Sequence, residues 1–577
     1  MKLIDEQPIA LLVENDTRIL YPLEEQLMRL GFEVILAQNC PSAEKLINER
    51  QDFDLIILDL FLTSEEDGWR IFNLAESIIP PNCARAIYSG HSEQKVRAQL
   101  SPWQFFVKGS GTTRLLDFAK EAHSKAISYR NTLPPIDTEG ASRIARLMQP
   151  DGWNNLYVLG CFDRRITFYT QQARALNLIR SLYELGLLSD GQSVGVVGAG
   201  ASGVTAALAA ALLKCEVTLL DSAEAILNLQ ASAGHRYLHP HIYDWPKPNS
   251  LNVDAGLPFL NWSADTANKV VQVLRSEFED FRKHLNKKSK NRLQFKGNIK
   301  ITGIDKISES RIRLRNETAV YQAEYDVVIL AIGYGVESEV ASYWSGDRID
   351  GPFNHLPYKI LISGNGDGGL IDLARAAMRT DVLGNTFRHD QAVELLTCDQ
   401  DFKTLAQEMS EVDKKCLRRT PQGNLYQEYL KLQVPSGLKG RLEELRRTQT
   451  EVTFHCLYDN EIFTLKSALL NRLLAFLLIH FKLIELEYGD MTEAPTSTGD
   501  GKRHVTFRHS DGRISEREFD LIVKRHGTPK NYFKESFLQI HEDCSFMMSP
   551  ISILNWTGGL DMTTIKFWEI FKRRAFK

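Results

Sequence analysis

A glycine-rich turn between two short apolar runs carries the clearest chemistry in this chain. From Ser193 to Asp221 the sequence reads SVGVVGAGASGVTAALAAALLKCEVTLLD. Val194 to Val197 predict a strand, Gly198-Ala199-Gly200-Ala201-Ser202-Gly203 a turn, the Ala-rich stretch a helix, and Val217 to Leu220 a second strand that ends on Asp221. Each position suits a dinucleotide. Gly198 permits the tight turn, Gly200 has no Cβ to block a pyrophosphate, and Gly203 lets the helix pack close to the strand. Ala201 and Ser202 open the helix, whose first amides and dipole favour phosphate. Asp221, about 20 residues on, can accept hydrogen bonds from a ribose diol. Glycine spacing alone would fit an ordinary strand-to-helix turn; the complete β-α-β frame is what points to a dinucleotide.

A second set of reactive residues lies in the first 130 positions. Four apolar runs, IALLV, DLIILDLFL, ARAIYSG and WQFFVKG, alternate with helical stretches and end on Glu14-Asn15-Asp16, Asp59, Ser89 and Lys108. In a doubly wound sheet the carboxyl ends of the strands are where sites form. Acids around one aspartate can hold a divalent cation, a hydroxyl and a lysine can cradle a phosphoryl group, and Asp59 would be the nucleophile. At these residues the segment resembles the receiver domain of two-component response regulators. The resemblance implies a flavodoxin-like fold, Asp59 as phospho-acceptor, Ser89 as the switch hydroxyl, Lys108 as the family's lysine, and a histidine kinase or other docking protein as partner. Two positions depart from the pattern: Asn15 stands where a metal-binding aspartate is usual, and Gly109 where proline follows the lysine. Magnesium would then rest on Glu14, Asp59 and the neighbouring Asp16. The alternative is a pseudo-receiver used for docking.

Further motifs follow Asp221. Ala233-Gly234-His235-Arg236 resembles the glycine-arginine segment of many flavin-dependent oxidoreductases, which implies that Arg236 reaches a pyrophosphate bidentately. His239 and His241 form an H-x-H pair, readable as a metal pair or as a polar loop. YDVVILAIGYG, Tyr325 to Gly335, resembles the late strand and turn of FAD domains in two-dinucleotide-binding flavoproteins, with Asp326, Ala331 and Gly333 carrying the match and FAD as the cofactor it implies. KILISGNGDGGL then repeats the glycine spacing at Gly364, Gly366 and Gly369, with Asp367 inside it. Two readings stay open: a second nucleotide fold for NAD(P)H, or a GD element whose Asp367 binds the ribityl chain of the same FAD. Phe519 to Gly527 echoes Tyr325 to Gly333 and suggests that a second α/β unit begun near residue 360 closes there. Arg525 and His526 end that strand, where a nicotinamide or substrate could be met; His235, His239 and His526 are the acid/base candidates.

These residues need scaffolds to hold them, and 577 residues imply several. The expected order is a receiver-like domain over 1–130, a connector with a helix over 131–190, a FAD-binding Rossmann-type domain over 191–376, a helical insertion over 377–450, and a C-terminal α/β segment over 451–577. The fold class is α/β. In the connector, Leu176, Ile179, Leu182 and Tyr183 suit one face of an amphipathic helix, with Arg174 and Arg180 off that face and solvated. A net charge of −4 gives no general attraction to nucleic acid. The basic tract Lys283 to Arg292 lacks interleaved aromatics and reads as a solvated loop. Leu473 to Ile479 is too short to span a bilayer and reads as a buried helix. With no apolar leader and eight scattered cysteines, neither a signal peptide, a zinc site nor a dithiol centre is indicated, and a reducing cytoplasm fits. The resemblances imply a FAD-dependent oxidoreductase that uses NAD(P)H and passes electrons to a small-molecule or protein acceptor. The rivals are a non-catalytic dinucleotide-binding sensor or assembly subunit, and an NAD-only dehydrogenase.

Overall fold

Ile9–Val13 is buried at every position, as a strand covered by helices on both faces must be. It is β1 of a parallel sheet with β2 (Glu33–Ala37), β3 (Leu55–Leu58), β4 (Ala84–Ser89) and β5 (Gln104–Val107), in the order β2-β1-β3-β4-β5. Alternate residues feed two cores: Leu11, Val13 and Ile56 point to one face, Ala10, Leu12 and Leu55 to the other. This is the doubly wound, flavodoxin-like order. It brings Glu14, Asp59, Ser89 and Lys108 to the carboxyl ends of β1, β3, β4 and β5.

The computed structural model describes residues 7–50, 53–79, 83–90, 103–160, 166–318, 320–333, 343–379, 387–397, 400–417, 424–493, 502–527, 532–544, 547 and 559–576. The chain divides into two units, Met1–Pro135 with the last two residues, and Ile136–Ala575. The sheet above belongs to the first.

The second unit contains two parallel sheets built on one plan. Its strands begin with β6 (Leu156–Val158), β7 (Ser193–Val197) and β8 (Glu216–Leu220), followed by the short ribbon of β9 (Tyr237–Leu238) and β10 (Asp265–Thr266). Then come β11 (Leu293–Lys296), an antiparallel meander of β12 (Ile301–Ser308), β13 (Arg311–Asn316) and β14 (Gln322–Tyr325), and β15 (Val327–Leu330). The first sheet has the order β11-β8-β7-β15-β6. The second half repeats this with β16 (Tyr358–Ser363), β17 (Thr450–Cys456), β18 (Glu485–Tyr488), a meander of β19 (Asp490–Glu493), β20 (Arg503–Arg508) and β21 (Ile514–Phe519), and β22 (Leu521–Lys524). Its sheet runs β18-β17-β16-β22.

The repeat extends to single hydrogen bonds. The Ser193 amide donates to the Asp326 carboxylate at 2.8 Å while the Asp326 amide donates to the Ser193 carbonyl at 3.0 Å. The Lys359 amide and Asp520 do the same at 2.7 and 2.9 Å. The echo between Phe519–Gly527 and Tyr325–Gly333 is therefore a structural repeat. Between β16 and β17 the chain adds the helices His389–Leu396, Gln400–Leu417, Leu425–Tyr429 and Gly437–Leu445. The helix Leu469–His480 is buried along most of its length in the second core, and among the described residues no helix is long and apolar enough to cross a membrane.

One expectation is reversed. Arg174 and Arg180, on the helix Phe168–Glu184, are buried rather than solvated, at 1% and 7% exposure. The C-terminal helix Met562–Phe576 packs beside Arg180: Trp568 donates to the Leu176 carbonyl, and the Arg180 guanidinium bonds Thr563, Thr564 and Glu184.

Candidate functional site

At the end of β7 the backbone of Gly198 turns to φ +102°, and a Cβ there would stand 2.4 Å from the Ala331 carbonyl oxygen. Gly203 lies so close beneath that a Cβ would meet the Gly198 carbonyl oxygen at 1.8 Å. Gly200 caps the helix Ala201–Leu212 and faces open space, with nothing within 4 Å of an added Cβ. Two glycines are thus demanded by packing, and the third leaves room above the start of the helix. At the end of β8, Asp221 accepts from the Ala199 amide at 2.5 Å and from the Ala223 amide at 2.7 Å, which fixes its carboxylate against the turn. Gly333, at φ +68°, lies in the turn just past β15, which pairs with β7 on the other side.

The second turn copies the first. Gly364 has φ +128°, and its added Cβ would lie 2.1 Å from the Arg525 carbonyl oxygen; Gly369 would meet the Gly364 carbonyl oxygen at 1.9 Å; Gly366 faces open space. These residues open a second parallel β-α-β unit and do not return to the first sheet, as a GD element serving the first turn would. Side chains differ where the backbone agrees. Asp367 takes the place of Ala201 and accepts from the Ala468 amide at 2.8 Å and Asn471 Nδ2 at 2.7 Å. By register, buried Cys456 stands where Asp221 stands in the first copy.

In the first unit, Lys108 Nζ bridges Glu14 at 2.6 Å and Asp59 at 2.7 Å, and both carboxylates are buried. Burial raises the Glu14 carboxyl above its ordinary range against the pull of Lys108; burial would lower the lysine, but Asp59 and Glu14 hold it up. Ser89 is fully buried, and its hydroxyl has no hydrogen-bond partner among the described residues. Asp16 does not join the set. It caps the helix Thr17–Arg29 through the Arg18 amide and pairs with the Arg18 guanidinium, which holds its carboxyl down at about 2. Asn15 donates to the Leu62 carbonyl at 2.5 Å. The three-carboxylate magnesium set expected from the sequence is not assembled, and among the described residues no cluster of three His, Cys, Asp or Glu could hold a metal.

The chain joins a receiver-type fold to two dinucleotide-type folds. No protein-family model matches the sequence, and no curated protein matches it. Among solved structures, a response regulator receiver protein from Sinorhizobium medicae aligns at 20% identity over 21% of this chain and 98% of its own, TM-score 0.20. A receiver domain protein from Clostridium thermocellum aligns at 19% identity over 21% and 98%, TM-score 0.19. The bacillithiol disulfide reductase Bdr from Staphylococcus aureus aligns at 11% identity over 60% of this chain and 80% of its own, TM-score 0.31.

Within this pair of dinucleotide-type folds, two predicted residues serve elsewhere. Arg236 is 2% exposed, and its guanidinium is engaged by Asp372, by the Tyr343 carbonyl at 2.7 Å and by Asp347 at 3.3 Å, with the Tyr343 ring 3.8 Å beneath it. It is a tie to the second copy, not a pyrophosphate clamp. Arg525 and Arg375 converge on the same carboxylate at 2.7 and 2.9 Å. Burial would raise Asp372; Arg236, Arg375 and Arg525 overcome this and hold it well below the usual carboxylate range. The H-x-H pair is also committed: His239 Nδ1 accepts from the amides of His241 and Ile242, and His241 Nε2 meets the Asp254 carbonyl. His235 lies 3.8 Å from Asp347, and burial and Arg236 lower its imidazole. The six described cysteines are all buried; Cys161 and Cys398 fall outside the described residues, as do Tyr334 and Gly335.

Sequence reasoning missed Ser363 and His455. Ser363 Oγ lies 2.8 Å from His455 Nδ1 and 2.7 Å from His526 Nε2, and His455 Nε2 lies 2.8 Å from the Gly489 carbonyl. The available signal was a hydroxyl or imidazole at or just beyond the carboxyl end of each of the three strands.

Proposed function

We propose that the chain is a FAD-dependent oxidoreductase that draws on NAD(P)H, with FAD at the Gly198–Gly203 turn and NAD(P)H at the Gly364–Gly369 turn. The observation that carries the reading is the first turn itself: open space over Gly200 at the helix N-terminus, and a carboxylate locked beside it by the Ala199 amide. These features fit a diphosphate and an adjoining ribose diol. Bound FAD supplies the two-electron chemistry and NAD(P)H the reducing equivalents. The protein's part is placement. Ala201, Ser202 and Gly203 present amides to phosphate, Asp221 takes the ribose, Gly333 leaves room beside the cofactor, and the Arg236–Asp372 tie holds the two copies in one orientation.

The purified full-length protein should show flavin absorption bands that bleach on addition of NADH or NADPH. A colourless protein that still binds a dinucleotide would favour the sensor reading; turnover without flavin bands would favour an NAD-only dehydrogenase. The receiver-type unit acts as the regulatory or docking element, with Asp59 as acceptor and a histidine kinase or docking protein as partner. The uncommitted Ser89 hydroxyl and the lysine that reaches Asp59 support this. Acetyl phosphate should label wild type and not Asp59→Asn; equal labelling of both removes Asp59 from that role.

A further inference from the structure

Beneath the two glycine turns the strand ends differ, Val197 and Leu220 in the first copy against Ser363 and His455 in the second. Just beyond them the contrast sharpens. Past β8 the chain continues Asp221-Ser222-Ala223, with the Ala223 amide holding the carboxylate. At the same register β17 continues Cys456-Leu457-Tyr458, so a buried thiol takes the place of the ribose acceptor. Leu457 and Tyr458 are 48% and 56% exposed, although Ile462 and Phe463, a few residues on, are buried in the second core.

The exposed pair sits on a backbone that is tied down on every side. The Gly489 amide donates to the Cys456 and Leu457 carbonyls, both at 3.2 Å, and the Glu461 amide to the Tyr458 carbonyl at 3.3 Å. Asn365, inside the second turn, donates from its side chain to the Glu461 carbonyl, and Ser467 Oγ donates to the Asn365 carbonyl at 3.0 Å. The loop is thereby held beside the turn. An aromatic ring placed in water on a fixed backbone is a ready surface for a nucleobase, because every base has a π-face to stack. The same loop carries Asp459 and Glu461, both exposed, against one lysine, Lys466. From Cys456 to Ala468 there is no arginine to fork a 2′-phosphate.

We propose that Leu457 and Tyr458 are the adenine platform of the second nucleotide site, and that this site takes NADH in preference to NADPH because Asp459 and Glu461 oppose a 2′-phosphate. The adenine half is then read by stacking where the first copy reads through a carboxylate. No covalent bond forms and no electron moves in this recognition step. The proposal deepens, and rests on, the reading of the second turn as a nucleotide site.

The test is calorimetric titration of the flavin-loaded full-length protein with NAD⁺, NADP⁺ and ADP-ribose. Wild type should bind NAD⁺ at least about threefold more tightly than NADP⁺. Tyr458→Ala should weaken NAD⁺ and ADP-ribose by about tenfold, the scale of one lost base–aromatic stack, with flavin retention unchanged. Tyr458→Phe, which keeps the ring, should bind as wild type does. Asp459→Asn combined with Glu461→Gln should narrow the gap between NAD⁺ and NADP⁺. Unchanged NAD⁺ affinity in Tyr458→Ala, or tighter binding of NADP⁺ than of NAD⁺ by wild type, overturns the proposal and leaves the second-site reading standing. Failure of wild type to bind either dinucleotide while retaining flavin overturns the second-site reading as well.

Discussion

The two glycine turns of the second unit share a backbone and differ in nearly every side chain that would touch a ligand. Gly198 and Gly364 take the same left-handed turn against the next strand's carbonyl, and Gly200 and Gly366 both face open space. Yet the first copy has Asp221, Ala201 and an apolar floor, whereas the second has Cys456, Asp367 and a hydrogen-bonded Ser-His-His floor. Strand pairing and close packing dictate the glycines; what each turn reads is decided by the residues at the strand ends. Under the proposed assignment, the first copy would read a ribose through the Asp221 carboxylate. The second has a buried thiol at that register, pushed up to about 12 by burial, which cannot serve a diol in the same way.

The largest break in this pair should come at the join between copies. Asp372→Ala leaves Arg236, Arg375 and Arg525 buried without their common carboxylate, and removing one partner of a buried ion network costs about 3 to 5 kcal/mol. Urea unfolding should show it, and Glu443→Ala on an exposed helix face should not. Next come the turns themselves. Gly198→Ala and Gly364→Ala each force a Cβ onto a backbone carbonyl at positive φ, with backbone strain alone at about 1 to 3 kcal/mol. Gly200→Ala and Gly366→Ala should change folding stability by no more than about 0.5 kcal/mol. Gly200→Glu should leave the fold intact and abolish flavin retention, because a carboxylate would occupy the diphosphate's space. If Gly364→Ala proves as mild as Gly366→Ala, the two turns are not the same device.

A smaller effect separates the ribose positions. Asp221→Ala should weaken flavin retention by about tenfold, the scale of one lost charge-assisted hydrogen-bond pair, while Cys456→Ala should leave NAD⁺ and NADP⁺ affinity within about twofold. Equal losses would mean that register does not predict what each copy reads.

Local patterns made the glycine turns legible in the sequence, because a strand, a turn and a helix within thirty residues are specified by neighbours. The receiver-type order was legible for the same reason, one polar residue closing each apolar run. What stayed hidden depends on distant chain. Arg236 looks like a phosphate ligand until Asp347 and Asp372 fold onto it. Arg180 looks solvated until the C-terminal helix covers it. Asp16 looks like a third metal carboxylate until helix capping claims it. Ser363, His455 and His526 become neighbours only because three parallel strands end side by side.

Acid should distinguish the copies most subtly. His389 is buried in the helical insertion near Asn471, and Asn471 holds Asp367 of the second turn. Burial depresses His389 to about 4, and His239, near Asp390, likewise to about 4. A depressed imidazole binds its proton more readily in the unfolded chain. Its contribution to stability is therefore complete above about pH 6.5 and is lost as pH falls toward about 4. Hydrogen exchange across that window should show amides of the helix Asp367–Ala377 gaining exchange before those of Ala201–Leu212. His389→Asn should flatten the difference. Parallel loosening of both helices would mean that the second turn's polar surroundings are not what sets it apart.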